Sequence, residues 1–367
     1  MKEANKKITV DARMLRSSGI GTVIQNVLKR LICSCPEWKF YVIGNKNEVQ
    51  GHEFLSAQNV TIVPTTVPIY SIQEQLTIPR LIPKDSDLLW VPHYNVPVLY
   101  NGPMVVTIHD VFHLAMPQFV GGIHKKIYAK LMFKAAVRKA KHIVCVSEFT
   151  KDELIKYTHA DTHKISVVYN GVDDFWGEPL ANTSPLYEKP YILYVGNVKP
   201  HKNLRRFVQA YEKIAIQIPQ DLIIVGKKEG FITGDPLVAK MAEKMPERIH
   251  FTGFVSNEEL KNYYHYADLF VFPSLYEGFG LPPLEAMKAG CKNVICSDIK
   301  VLREIYKNSI DYFNPYDVNS IVSCIKNNIN RENPDIRSLE NKPIIFDWQE
   351  CSNTYKSIFN CMINIEV

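Results

Sequence analysis

A chain of 367 residues, 46% hydrophobic and 22% charged, is long enough for two cored domains and too evenly mixed for a disordered protein. No apolar run approaches the roughly 18 residues of a bilayer span, and MKEANKKITVDAR has no apolar signal core before its first strand, so neither a spanning nor a secreted protein is expected. The formal charge of +5 sits in one half: residues 1–180 hold 21 Lys and Arg against 16 Asp and Glu, and the remainder holds 22 of each, so an anionic surface or substrate is expected at the first half.

In chain order, KITVDA, WKFYVIG, VTIVP, DLLWVP, MVVTIHD, HIVCVS and KISVVYN read as strands. Most are continuous apolar runs, the mark of strands buried on both faces. Helical patterns such as TVIQNVLKRLI fall between strands, which predicts α/β architecture with parallel sheets. In SGIGTVIQNVLKRL, Gly19 and Gly21 read as a turn that opens a helix; a third glycine and an acidic partner are missing, so this is not a dinucleotide fingerprint. Asp85-Ser86-Asp87 matches an acidic metal motif but precedes its strand, and reads as a turn. His109 and Asp110 stand at the carboxyl edge of the strand in VVTIHD, where a histidine either lines a cleft or is held by a structural hydrogen bond.

HKKIYAKLMFKAAVRKAKH (His124 to His142) is basic and helical, with an irregular apolar face. It reads either as a solvated helix packed on a core or as a surface for anionic lipid or a lipid-diphosphate acceptor. No stacking aromatics alternate with its cations, so no nucleic acid partner is expected. Asp173 to Pro190, with three prolines and no apolar period, reads as an interdomain linker.

The pattern then begins again with YILYVG, LIIVG, IHFTG, LFVFPS and KNVICSD as strands. YVGNVKPHKNLRRF ends a strand at Gly196 and puts Lys202 at the next helix start, where an ammonium serves a phosphate. Phe254 and Val255 follow the strand in IHFTG. DWQECSNTYKSIFNCM forms a last helix whose Trp348, Cys351, Tyr355, Phe359 and Met362 make one apolar stripe. The eight cysteines lack ligand spacing and read as reduced thiols.

YEGFGLPPLEAMKAG (Tyr276 to Gly290) concentrates the chemistry. Pro282 and Pro283 suit a first helical turn, where a missing N–H costs nothing. Gly278 and Gly280 allow close backbone approach, and the amides with the helix dipole favour an anion. Glu285, one turn into the helix, can accept from vicinal hydroxyls such as a ribose, and Glu277 from a second polyol such as a sugar. Two solvated glutamates on an ordinary helix start are the alternative reading.

E-G-F-G-L-P-P-L-E resembles the E-x7-E motif of retaining glycosyltransferases of the family 4 type, a large family that includes bacterial mannosyltransferases of surface-polysaccharide assembly. The likeness runs from DARMLRSSGIGTVI to the FDW helix. It implies the GT-B fold: two Rossmann-like domains with parallel sheets facing across a cleft. Residues 1–175 with the terminal helix 348–367 would bind acceptor, and 186–347 the nucleotide sugar. It implies that Glu277 contacts the donor sugar, Glu285 the ribose, and Gly278, Phe279, Gly280 and Leu281 the diphosphate, with Gly19 and Gly21 reaching it from the first domain. His109 would lie close to the transferred sugar, with Asp110 orienting it or its loop, and Val255 would meet the base through its backbone. Lys202 matches the family's lysine of the diphosphate clamp. Asn197 stands where some members carry arginine, which leaves Lys199 and His201 as candidates for the second cation.

The resemblance further implies a hexosyltransferase, with GDP-mannose as the preferred donor, a glycan or lipid-linked saccharide as acceptor, and no cofactor or metal. A cytoplasmic protein is expected, with peripheral contact to an anionic membrane through the basic N-terminal half. The rival classes are a catalytically silent sugar-nucleotide-binding subunit and an epimerase or hydrolase on the same fold.

Overall fold

In the computed structural model, residues 5–49, 51–226, 236–329 and 346–364 are described. The predicted second domain runs through 227–235 and 330–345, which lie outside them. Contacts divide the chain into a unit of residues 1–171 with 346–367 and a unit of residues 172–345.

Among the described residues the first unit holds seven strands: β1 (Lys7–Asp11), β2 (Lys39–Gly44), β3 (Val60–Pro64), β4 (Leu88–Val91), β5 (Met104–Ile108), β6 (His142–Cys145) and β7 (Ile165–Val167). They form one sheet in the order β3-β2-β1-β4-β5-β6-β7, and every pair is parallel. β4 and β5 are buried at every residue, as their unbroken apolar runs require. The helix Trp348–Asn364 completes this unit: Tyr355 bonds Thr107 at 2.9 Å, and Trp90 lies against the Tyr355 and Phe359 rings.

The second unit holds β8 (Tyr191–Val195), β9 (Asp221–Val225), β10 (Ile249–Gly253), β11 (Leu269–Phe272), β12 (Val294–Ser297) and β13 (Asp311–Phe313), ordered β10-β9-β8-β11-β12-β13 and also parallel throughout. The helix Leu204–Ile214 buries Leu204, Phe207, Val208, Tyr211 and Ile214, spaced at three or four, against this sheet's core.

Both sheets therefore show the Rossmann order, in which the strand sequence reverses between the first and fourth strands. Ligands of such sheets bind beyond the carboxyl ends at that reversal. The reversals lie between β1 and β4 in the first unit and between β8 and β11 in the second.

Two sequence expectations change here. Asp173–Pro190 belongs to the second unit rather than bridging two units. Asp173 caps the turn Asp174–Gly177, and Asn262 and Lys261 donate to the carbonyls of Asn182, Ser184 and Pro179. Polar composition looked like a linker because its bonds go to side chains far along the chain. Second, β13 has no counterpart in the sequence reading: three residues, only Phe313 fully buried, carry too little pattern.

Candidate functional site

At the β8/β11 reversal the chain leaves β8 through Gly196 and makes the turn Pro200–Lys202. It leaves β11 through Pro273 and Ser274 to the helix Leu281–Lys288. The two loops are joined by their backbones, with Leu275 N donating to His201 O at 2.7 Å. Across this junction Lys202 Nζ meets Glu277 Oε1 at 2.5 Å, and the ammonium lies 5.8 Å from the Phe272 ring centroid. Both side chains keep some solvent access, 22% and 14%. A cation and a carboxylate predicted to serve different parts of one ligand thus meet directly. Asn197 and Lys199 are exposed on the same connection and His201 is half-buried.

Gly280 caps the helix Leu281–Lys288 at φ +104, a backbone region L side chains avoid; Gly278 is not in it. The Tyr306 hydroxyl donates to the Gly280 carbonyl. Of the four amides that open a helix, Pro282 and Pro283 supply none, so Gly280 and Leu281 carry the donors that remain. Gly280→Ala would force an unfavourable φ and put a Cβ 2.8 Å from Leu302 Cδ2. A loss of about 1–3 kcal/mol is expected, read by urea unfolding; an unchanged midpoint would show that the loop relaxes.

Glu285 accepts from Tyr264 OH at 3.3 Å. Burial raises its carboxyl to about 7; the Tyr264 hydrogen bond opposes this, and the charge of Asp173 adds to it. Between the ordinary glutamate value of about 4.3 and about 7, the folded protein keeps a proton that the unfolded chain has released. This group's contribution to stability therefore falls as pH rises through that window. Urea unfolding of Glu285→Gln should lack that decline.

In the first unit, His109 follows β5 and is bonded through Nε2 to Pro92 O at 2.9 Å. A carbonyl only accepts, so Nε2 carries the proton and Nδ1 the lone pair. Burial pushes the imidazole down to about 4, against the Pro92 bond, so it is neutral near pH 7. Asp110 Oδ1 accepts from Phe112 N at 2.9 Å and thereby shapes the loop after His109. Gly19 and Gly21 are not a turn before a helix but lie in the first turn of the helix Ser18–Ser34. Gly21 is there because a Cβ would sit 2.4 Å from the Leu15 carbonyl oxygen; Gly19 has open space.

Beneath His109, at the β1/β4 reversal, is a charged network the sequence reading missed. Arg13 donates to Asp11 at 2.7 Å and to Glu74 at 2.8 Å; His93 Nε2 stands 3.5 Å from Asp11, and Asn95 Nδ2 donates to Glu74. Burial alone would raise the Asp11 carboxyl, but the hydrogen bonds and charge of Arg13, with His93 close by, overcome it and hold the group well below its ordinary range.

A glycosyltransferase family 4 model matches residues 18–174 and a glycosyl transferases group 1 model matches residues 181–338, together most of the chain. The chain belongs to glycosyltransferase family 4. It is 33% identical over 247 residues to the O-antigen chain mannosyltransferase RfbU of Salmonella typhimurium, covering 66% of this chain and 65% of that one. It is 29% identical over 290 residues to the O-antigen chain mannosyltransferase B of Escherichia coli, covering 70% and 74%. The match thus spans just under two thirds of RfbU. Among solved structures, sucrose-phosphate synthase from Thermosynechococcus elongatus superposes with a TM-score of 0.73 at 17% identity over 98% of this chain and 100% of that one. Anabaena Alr3699/HepE in complex with UDP and glucose gives 0.73 at 16% over 97% and 99%. The fold is GT-B.

Within this family 4 chain, the structure brings Lys202, Glu277, Gly280 and Leu281 to one reversal and places Glu285 farther along the same helix. Phe272, Tyr264 and Tyr306 contact them and the Asp173 charge bears on Glu285; no local motif marked any of the four. Asp85 and Asp87, by contrast, are engaged by Lys7, through its ammonium at 2.7 Å and its backbone N–H at 2.7 Å.

Proposed function

We propose that this chain is a retaining hexosyltransferase that moves mannose from GDP-mannose to a hydroxyl of a glycan or lipid-linked saccharide during surface-polysaccharide synthesis. The observation that carries the reading is the Lys202–Glu277 pair beside the Gly280 helix start, at the strand reversal of the second unit. The names of RfbU and mannosyltransferase B support mannose as the transferred sugar.

Negative charge grows on the departing diphosphate as the bond from sugar C1 to phosphate oxygen breaks. A fixed ammonium and backbone amides near that oxygen stabilise this charge more than the ground state. In the proposed reaction Lys202 and the Gly280 and Leu281 amides provide it, with Lys199 or His201 as second cation and no resident metal or cofactor assigned. Glu277 accepts from the sugar and Glu285 from the ribose, and Val255 offers backbone to the base. The acceptor oxygen bonds C1 on the face the phosphate leaves, and its proton passes to the departing phosphate oxygen. In the proposed reaction the first unit takes the acceptor, and the Gly19 and Gly21 backbone serves the diphosphate. The His109 Nδ1 lone pair accepts a sugar hydroxyl rather than a reaction proton. The protein works in the cytoplasm with peripheral contact to an anionic membrane through its basic half.

Incubation with GDP-mannose, with and without lipid-linked saccharide extract, tests this. Transfer that needs the extract and preserves the anomeric configuration is expected. Donor loss without acceptor would indicate a hydrolase or epimerase; a nucleotide-dependent rise in melting temperature without turnover would indicate a binding subunit.

The Glu285 role adds a pH signature. Ribose hydroxyls bond an ionised carboxylate more strongly than a neutral one. Nucleotide-sugar affinity should therefore rise by about tenfold per pH unit below the Glu285 value and level off above about 7. A nucleotide sugar suits this titration because it lacks the terminal phosphate that ionises near about 6. Calorimetry with Glu285→Gln should give a flat profile; a slope equal to the parent's would remove Glu285 from the ribose site.

A further inference from the structure

The helix Ile123–Lys139 has two apolar faces. One buries Ala129, Met132, Phe133 and Ala136, with Phe133 stacked on Tyr94 at 4.3 Å between centroids. The other carries Ile123, Ile127 and Leu131, spaced by four and 75%, 55% and 60% exposed. Ile127 and Leu131 each lie two positions from a residue of the buried face, about 200° round the helix, so this stripe points directly away from the core. Lys126, Lys130 and Lys134 repeat the same spacing and run alongside it, with Lys130 and Lys134 exposed. No Asp or Glu occurs between Asp110 and Glu148, while that interval holds seven Lys and Arg.

We infer that this outward face docks on an anionic lipid bilayer, the helix lying in the plane of the interface. The inference rests on the membrane contact of the proposed reading and locates it. Three exposed branched aliphatic residues in a row are costly in water and stable at the acyl boundary, where the adjacent lysines meet anionic headgroups. A bilayer satisfies both stripes. A second copy would set lysines against lysines across a two-fold axis, on a chain already at +5. The same helix is tied by hydrogen bonds to the first unit's strand reversal. Tyr128 of the same helix donates to Asn95 at 2.6 Å, and Asn95 donates to the Glu74 that holds Arg13.

Flotation with vesicles of equal parts phosphatidylcholine and phosphatidylglycerol, against pure phosphatidylcholine, tests the inference. The full chain should float only with the anionic vesicles, and less in high salt. K126E/K130E/K134E should lower vesicle affinity by at least about a hundredfold. I127D/L131D should lose binding with all its lysines in place. Both variants should keep the parent melting temperature, since the altered side chains lie outside the core. Equal flotation of parent and variants, or of both vesicle types, would overturn the inference. So would a parent dimer that I127D/L131D converts to monomer in sedimentation velocity, which would give the face to a second copy. Melting shifts with GDP and UDP in the same samples separate the two claims. Vesicle binding without any nucleotide shift would count against the donor chemistry and leave the surface standing.

Discussion

Lys202→Ala is expected to lower turnover by about a hundred- to a thousandfold, with a smaller effect on donor affinity. The reason is where the charge is needed. The ammonium is paired with Glu277 at 2.5 Å, so it is already partly desolvated and held in place. A bound diphosphate carries more negative charge than one carboxylate and draws the lysine toward itself, most strongly when the leaving oxygen gains its charge. The alanine variant loses that gain and leaves Glu277 facing the phosphates without its counter-ion. Glu277→Gln separates the two roles of the acid. If Glu277 only positions Lys202, freeing the lysine should keep or tighten nucleotide diphosphate binding while turnover falls through misplacement. If it also grips the sugar, the Michaelis constant for the nucleotide sugar should rise while nucleotide diphosphate binding does not change. Single-turnover rates and nucleotide melting shifts for the two variants and their double variant give the coupling directly. A Lys202→Ala rate within about tenfold of the parent would mean that another cation, Lys199 or His201, carries the charge.

How much of this was legible in the sequence follows from how far each feature's partners lie along the chain. Strands such as LLWV and MVVTI announce themselves because burial on both faces demands an unbroken apolar run. The helix after Gly280 is equally readable, since a left-handed glycine followed by two prolines is a local solution to starting a helix. The Lys202–Glu277 pair is half-legible. Each residue sits in a recognisable loop, but only the strand order, with β8 beside β11, brings loops 75 residues apart together. Asp173 was hidden by its own composition, because a polar segment bonded to a distant helix looks the same as a solvated linker. The helix Ile123–Lys139 looked irregular for another reason: a helix apolar on opposite faces has no single stripe for periodicity to find. The Arg13 network was illegible altogether. Arg13 and Glu74 are 61 residues apart, and nothing near either residue announces the other.

That network carries the largest stability effect expected in the chain. The Arg13 side chain is 5% exposed, Asp11 0% and Glu74 2%, so one guanidinium bridges two carboxylates out of reach of water. Arg13→Met keeps much of the volume and removes the cation, leaving both acids buried without it. Breaking a buried ion pair from one side costs about 3–5 kcal/mol, a large share of the roughly 5–15 kcal/mol that holds a domain together. The sign of the pH dependence is fixed by the same geometry. In the parent, the depressed Asp11 value contributes stability that is present above the ordinary aspartate range and is lost as pH falls through the folded value. In the variant that pairing is gone and burial raises the acid, so protonation relieves the folded state, and the gap between variant and parent narrows as pH falls from neutrality. Adding Glu74→Gln to Arg13→Met removes one of the two stranded charges and should recover part of the loss. Function should follow stability through Pro92, whose carbonyl fixes the His109 tautomer and whose neighbour His93 stands beside Asp11. Urea unfolding of the parent and both variants at neutral and mildly acidic pH checks this. A loss below about 1 kcal/mol, or one that does not change with pH, would mean that water reaches the carboxylates and that the network is a surface feature rather than the floor of the first unit's strand reversal.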